Sequence, residues 1–269
     1  MRPKKLSRWF TLLALAAVSM LPASAQVDLT GAWGAQFLED QPERIPGPEL
    51  LDYLGLPIND FARKWALAWA PDRLGLQEHQ CQVHTAAYIF RGPTQLRIWE
   101  ERDPQTQNIV ALKIYSATYE QTRTIWMDGR AHPPEWAPHT WMGFATGKWD
   151  GNVLTIHTTH IKQGWHRRNG LPSSDKIDLI DHFILHDNLL THVSVVTDPI
   201  YLSEPLVKSE DFVKNTNPNG NWLWPCEYVN ELPGSDRTRV PSFLPGTNPF
   251  MDEFRNKYSL PLETVLGGP

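Results

Sequence analysis

The chain has 269 residues, with 25 Lys+Arg against 30 Asp+Glu, 41% apolar residues, 12 tryptophans and two cysteines. An acidic balance excludes a nucleic-acid partner as the main function, because a phosphate backbone demands a basic face. The length suits one large β domain, and a single domain over residues 26–269 is expected.

Arg2, Lys4, Lys5 and Arg8 precede an apolar run from Trp9 to Leu21 and the small residues Ala23-Ser24-Ala25. That order is a cleavable secretory signal over residues 1–25. The run is shorter than the roughly 20 residues that span a bilayer as a helix, and no later stretch approaches that length. No stable membrane insertion is expected. Loss of four basic and no acidic residues takes the formal charge from −5 to −9 and places the mature chain in the periplasm or outside the cell.

Gly31-Ala32-Trp33 opens a first short strand and is similar to the start of lipocalin-like barrels, where the Trp plugs one end. Residues 41–58 are rich in Pro and Gly and read as loop. Asn59-Asp60 caps one short N-terminal helix over 60–69, with Phe61, Trp65 and Trp69 as its apolar stripe. Cys81 and Cys226 read as a disulfide in an oxidising compartment. The alternative makes Cys81 a metal ligand beside His84, since Cys-x-x-His is a ligand spacing.

From residue 82 the pattern changes to short β-branched and aromatic segments separated by turn signals, predicting strands near 84–90, 95–101, 108–116, 119–127, 142–149, 152–161, 176–186, 189–198 and 206–214. Asp128-Gly129 and Asp150-Gly151 predict two-residue hairpins, with Trp149 opposite Asn152 and Ala145 opposite Ile156. Asp187-Asn188 predicts a third, pairing His186 with Leu189 and His182 with Val193. Short links favour closure into an all-β, lipocalin-like antiparallel barrel. The proline-rich tail from Leu232 reads as an irregular C-terminal strap with one helical turn near Asp252–Lys257.

No Gly-x-Ser-x-Gly elbow, phosphate loop, dinucleotide fingerprint or His-Glu-x-x-His is present, so no nucleotide cofactor is expected. Histidine stands out, with ten in the chain and eight between His132 and His192. Histidine both ligates metals and trades protons near neutral pH. His160 continues the face of Leu154, Ile156 and Thr158, and His182 lies between Ile180 and Ile184, so both are expected to point into the barrel. Asp181 then falls on the outer, solvated face. The loop from His132 to His139 carries three prolines and holds His132, His139 and nearby Arg130 over a barrel mouth.

His139, His160 and His182 are the candidate ligands of a divalent zinc, iron or copper ion. His132, His139 and Arg130 are the candidate catalytic groups. The run Gly164-Trp165-His166-Arg167-Arg168-Asn169-Gly170 has two adjacent guanidiniums suited to a carboxylate or sulfate. Trp141, Trp165 and Arg167 are therefore the candidate ligand-binding residues, and Trp-rich walls suit an apolar or sugar-like molecule as well as plain core packing.

Trp126-Met127-Asp128-Gly129-Arg130-Ala131-His132-Pro133, the Gly143–Gly151 run GFATGKWDG, Thr158-Thr159-His160-Ile161 with Gly164-Trp165, and Asp198-Pro199 with Tyr201 occur together. In these motifs most of the mature chain resembles a widespread family of secreted bacterial proteins. The resemblance implies secretion and a lipocalin-like barrel and assigns no catalytic residue. The expected function is action on a small, largely apolar molecule by lyase, isomerase or hydrolase chemistry, metal-assisted or by acid and base alone. A carrier without catalysis and a structural envelope protein with a filled barrel are the alternatives. No motif addresses the oligomeric state.

Overall fold

A computed structural model describes residues 27–36, 48–53, 55–91, 95–217, 225–229 and 239–266, and the expected signal segment lies outside the described residues. The strands are β1 (Gly31–Gln36), β2 (Gln95–Arg102), β3 (Ile109–Ser116), β4 (Gln121–Trp126), β5 (Phe144–Asp150), β6 (Val153–Thr159), β7 (Gly164–Arg167), β8 (Leu171–Ser173), β9 (Asp178–His186), β10 (Leu189–Thr197) and β11 (Leu206–Asn215). Nine of them close a barrel in the order β1-β11-β10-β9-β6-β5-β4-β3-β2, and β7 with β8 forms a separate ribbon. Among the described residues the helices are α1 (Asp60–Leu67), α2 (Gln77–Gln80), α3 (Phe250–Lys257) and α4 (Glu263–Leu266). None is long and apolar enough to cross a membrane. The protein is an all-β barrel, as its alternating segments predict.

Three departures from the sequence reading carry physical reasons. Segment 84–90 is not a strand; it ends in a 3-10 turn, Ile89–Arg91, that pushes Phe90 edge-on against Phe183, His192 and Phe212 inside the barrel. A run that is apolar on every side looks the same whether it is a buried strand or a plug. Asp128-Gly129 closes no hairpin: β4 and β5 are parallel, pairing Ile125 with Ala145 and Trp126 with Thr146. Parallel neighbours need a crossover, and the prolines at 133, 134 and 138 remove the donors that would have continued the ladder. The β5–β6 turn centres on Gly151-Asn152, Gly151 taking φ +59°, so Asp150 faces Val153 and Ala145 faces Thr158. The β9–β10 register is the expected one, His186 to Leu189 and His182 to Val193.

The packing of α1 also departs from expectation. Phe61 and Trp65 are 51% and 40% exposed, while Ala62 and Ala66 form the buried face. Asn59 caps the helix by accepting from the Ala62 amide. At the other end the strap supplies partners, Phe243 N–H donating to Ala68 and Asn248 Nδ2 to Leu67, which satisfies carbonyls the helix leaves open. Trp69, just past the helix, is buried against Trp165.

Two apolar cores result. One fills the barrel with Trp33, Phe90, Ile114, Ile125, Leu154, Phe183 and Phe212; the other, outside it, joins Leu51, Ala62, Ala66, Leu171, Leu179, Tyr201 and Phe254. The open ligand chamber of a lipocalin-like barrel is thus occupied by side chains. The described part of the strap includes the two-turn helix α3 where one turn was expected. Cys81 and Cys226 form the disulfide, which removes Cys81 as a metal ligand.

Candidate functional site: a cationic recess around His166

The two faces of β9 and β10 lie opposite to what their alternation suggests. Asp181 and His192 point inward and are fully buried, whereas His182 lies on the half-buried outer face beside Thr155, its Nδ1 3.0 Å from that hydroxyl. Both faces of β9 carry large apolar residues, so counting them does not decide the phase. Inside, His192 Nε2 meets Asp181 at 2.9 Å and Nδ1 meets Glu210 at 2.7 Å. Arg123 donates to Asp181 at 2.6 Å and to Thr158 at 2.5 Å, and Arg91 pairs with Glu210 at 3.3 Å.

Burial alone would lower the His192 pKa, but hydrogen bonds to Asp181 and Glu210 outweigh it and raise the imidazole to about 9. Burial would raise both carboxyls. The charges of Arg123 and His192 hold Asp181 below the usual range, and hydrogen bonding to His192 does the same for Glu210. The interior is therefore an ionised chain, and its last link, Glu210, anchors Arg91.

Arg91 borders a recess of about 200 Å³ lined also by Tyr88, His166, Arg167, Leu206 and Lys208. Between Trp165 and Arg167 the β7–β8 register shifts, and His166 is the extra residue, a bulge that re-aims one side chain. His166 is fully buried and its Nε2 lies 3.0 Å from Asp198 Oδ2. Asp198 accepts in addition from the Ser174 amide at 2.8 Å, the Ser174 hydroxyl at 2.7 Å and the Ile200 amide at 3.0 Å. Burial opposes ionisation of Asp198, but hydrogen bonds from His166 and Ser174 prevail and lower its pKa.

An ionised Asp198 fixes the tautomer, because Nε2 must donate to it and Nδ1 is left as a lone pair. That Nδ1 is buried without a hydrogen-bond partner. Burial, opposed by Asp198 and assisted by Lys208, lowers the His166 pKa, so the ring is neutral with an open lone pair and is a weaker base than a free imidazole. An orphaned buried acceptor costs about 1–3 kcal/mol. At the recess Arg167 donates to the Asp52 carbonyl at 3.0 Å and pairs with the Asp52 carboxylate at 3.7 Å, and Lys208 donates to the His166 carbonyl at 3.4 Å.

The other expected residues assemble on the outer wall. His132 bridges Thr159 and Thr146 at 2.8 and 2.9 Å, and its ring lies 4.6 Å from that of His157, which pairs with Asp178 at 2.7 Å. His160 is not in the barrel: it follows β6 in the left-handed region at φ +58° and meets Thr159 and the Pro134 carbonyl. His139 sits 5.2 Å from His160, its Nδ1 bonded to the Ile161 carbonyl. His182, five residues back along the sheet beside Thr155, is not brought to them. Among the described residues no group of three or more His, Cys, Asp or Glu side chains is disposed to hold a metal ion.

Arg130 is exposed, paired with Asp128 and stacked 3.5 Å over Trp126. Trp141 lies under the Lys162 ammonium, and Trp165 faces away from the recess, toward Trp69. Only Arg167 of the expected residues lines the recess. The chain matches no family model, no curated protein and no solved structure.

The groups missed are His166, Asp198, Arg91 and Lys208. His166 stood inside the singled-out basic run, but a strand pattern does not disclose a bulge. Asp198 stood in the Asp-Pro motif, 32 residues from the histidine it orients.

Proposed function

We propose that this chain is an exported barrel protein that takes a small organic anion into the recess and removes a proton from it with His166. The observation that carries the reading is the buried, partnerless Nδ1 of a neutral imidazole oriented by an ionised carboxylate, on a residue that borders a recess edged by Arg91, Arg167 and Lys208. A base is effective when its lone pair is fixed in place. Asp198 does this and offsets part of the burial that disfavours the imidazolium. Nδ1 is sealed from solvent in this structure, so binding has to shift the ribbon to expose it; the proton then passes from a C–H of the bound molecule to Nδ1, the imidazolium charge falls against Asp198, and the negative charge left on the substrate faces the cations. Return of the proton elsewhere is isomerase chemistry, and loss of a neighbouring group is lyase chemistry. Export is supported by the disulfide, which persists in oxidising compartments.

The test is hydrogen–deuterium exchange at carbon. The mature, oxidised protein is incubated in D2O with malonate, pyruvate, succinate and related small carboxylates, and each C–H signal is followed by proton NMR. Exchange is expected for at least one compound, abolished in His166→Gln and slowed in Asp198→Asn. Binding without exchange by the wild type would remove the base and leave a carrier, and absence of binding across the set would overturn the recess as a ligand site altogether.

A further inference from the structure

The β7–β8 ribbon has a second recess on its other side, and the two share no lining residue. It measures about 60 Å³ and is walled by His84, Arg168, Trp69, Trp165, Tyr119 and Gln80. Its floor is built with care. Gln121 spends both ends of its side-chain amide on the backbone of His84, accepting from the amide at 3.2 Å and donating to the carbonyl at 2.7 Å. The His84 ring is buried and held edge-on by Tyr88 at 4.9 Å and Tyr119 at 5.2 Å. Tyr119 and Glu120, both non-glycine, sit at positive φ, +56° and +51°, to present that tyrosine.

Two polar groups there are unanswered. Among the described residues, the ring nitrogens of His84 have no hydrogen-bond partner and Arg168 has neither ion pair nor hydrogen bond. Burial, and then the positive charge of Arg168, push His84 down to about 3, so the ring is neutral and has one N–H to donate. His79 and Gln82, which also line the recess, bond each other at 2.8 Å, and Gln80 is spent on the Gly75 and Val229 backbone. The single unpaired cation, the one open neutral donor and the indole walls match a planar monoanion bearing carbon. They do not match a metal ion, which Arg168 would repel, or a phosphate, whose second charge finds no partner.

We propose that this recess is a second ligand site that holds the carboxylate end of a small organic acid between Arg168 and His84, with the carbon part against Trp165. The volume admits the carboxylate, and the rest of the molecule lies at the mouth, where Trp165 is partly exposed. Arg167 and Arg168, adjacent in sequence, thus serve opposite sides of one ribbon.

The probe is benzoate, titrated into the full oxidised protein and read by tryptophan fluorescence and by the His84 imidazole resonances. Benzamide is its uncharged isostere. Saturable benzoate binding that shifts His84 is expected, weakened about tenfold or more in Arg168→Gln, the scale of one lost charge-assisted contact. His166→Gln should leave it unchanged, which separates this site from the first recess. Arg168 is exposed and unbonded, so its variant should keep the wild-type melting temperature. Equal binding of benzamide, or unaltered benzoate binding in Arg168→Gln, would overturn the proposal, as would failure of benzoate to perturb His84.

Discussion

His192 sits at the middle of the buried ion chain, and its charge is part of the fold. Removing it as His192→Ala leaves Asp181 and Glu210 facing each other with only Arg123 and Arg91 to offset them, a loss expected to cost about 3–5 kcal/mol in denaturant titration. The pH dependence has a definite sign. Its folded pKa of about 9 lies above the 6.5 of the free side chain, so the stabilisation is complete below 6.5 and is lost as pH rises through 9. Asp181 and Glu210 are shifted downward, so their contribution is present above about pH 4.5 and disappears on further acidification. Melting temperature against pH should therefore fall at both ends, and His192→Gln should flatten the alkaline fall. A flat alkaline limb in the wild type would remove His192 as an imidazolium. Gly170 sets a second test: at φ +98° a Cβ would collide with Trp69, so Gly170→Ala should destabilise by about 1–3 kcal/mol in denaturant titration.

The crossover 127–143 is an element held by histidines. His132, His139 and His160 each tie it to β6 or its end, and Thr159 serves both His132 and His160. Burial first, then the nearby His157 and His160, lower the pKa of His132, so protonation favours release of this contact as pH falls below 6.5. Protection factors of the amides in 131–139, corrected for the intrinsic rate at each pH, are expected to fall at pH 5 relative to pH 7.5, and Thr159→Val should lower them at both; equal protection factors would dissociate the loop from its histidines. At this scale the sequence was largely readable. Eight of the barrel strands follow from alternation and turn residues because each is half covered, and Asp187-Asn188 fixes a register by turn geometry alone. The phase of β9 was not readable, since an interior holding Asp181 and His192 reverses the rule that polar residues face out. Nor was the ribbon, whose four- and three-residue strands are too short to show a period. The recess depended on the ribbon and its bulge, which is why only Arg167 of the expected residues reached it.

Across the whole molecule the Cys81–Cys226 bond spans 145 residues and encloses β2 through β11. On the chain-entropy model a loop of that length adds roughly 5 kcal/mol. Cys81→Ser with Cys226→Ser should lower the denaturant midpoint accordingly without changing the β-sheet signal in circular dichroism; an unchanged midpoint would mean that the reduced chain is already restrained. Gln80 reinforces the link, exchanging hydrogen bonds with the Val229 backbone at 2.6 and 2.8 Å.

One barrel strand escapes that covalent ring. β1 lies before Cys81, yet it alone joins β2 to β11 and so closes the cylinder. Pulled by its two ends, the oxidised protein behaves as a knotless purse: tension draws out β1 and α1 on one side and the tail on the other, while about 50 nm of contour, taken at roughly 3.5 Å per residue, stays locked between the cysteines. The barrel can thus open along a single seam and shut again without a sulfur atom changing partner.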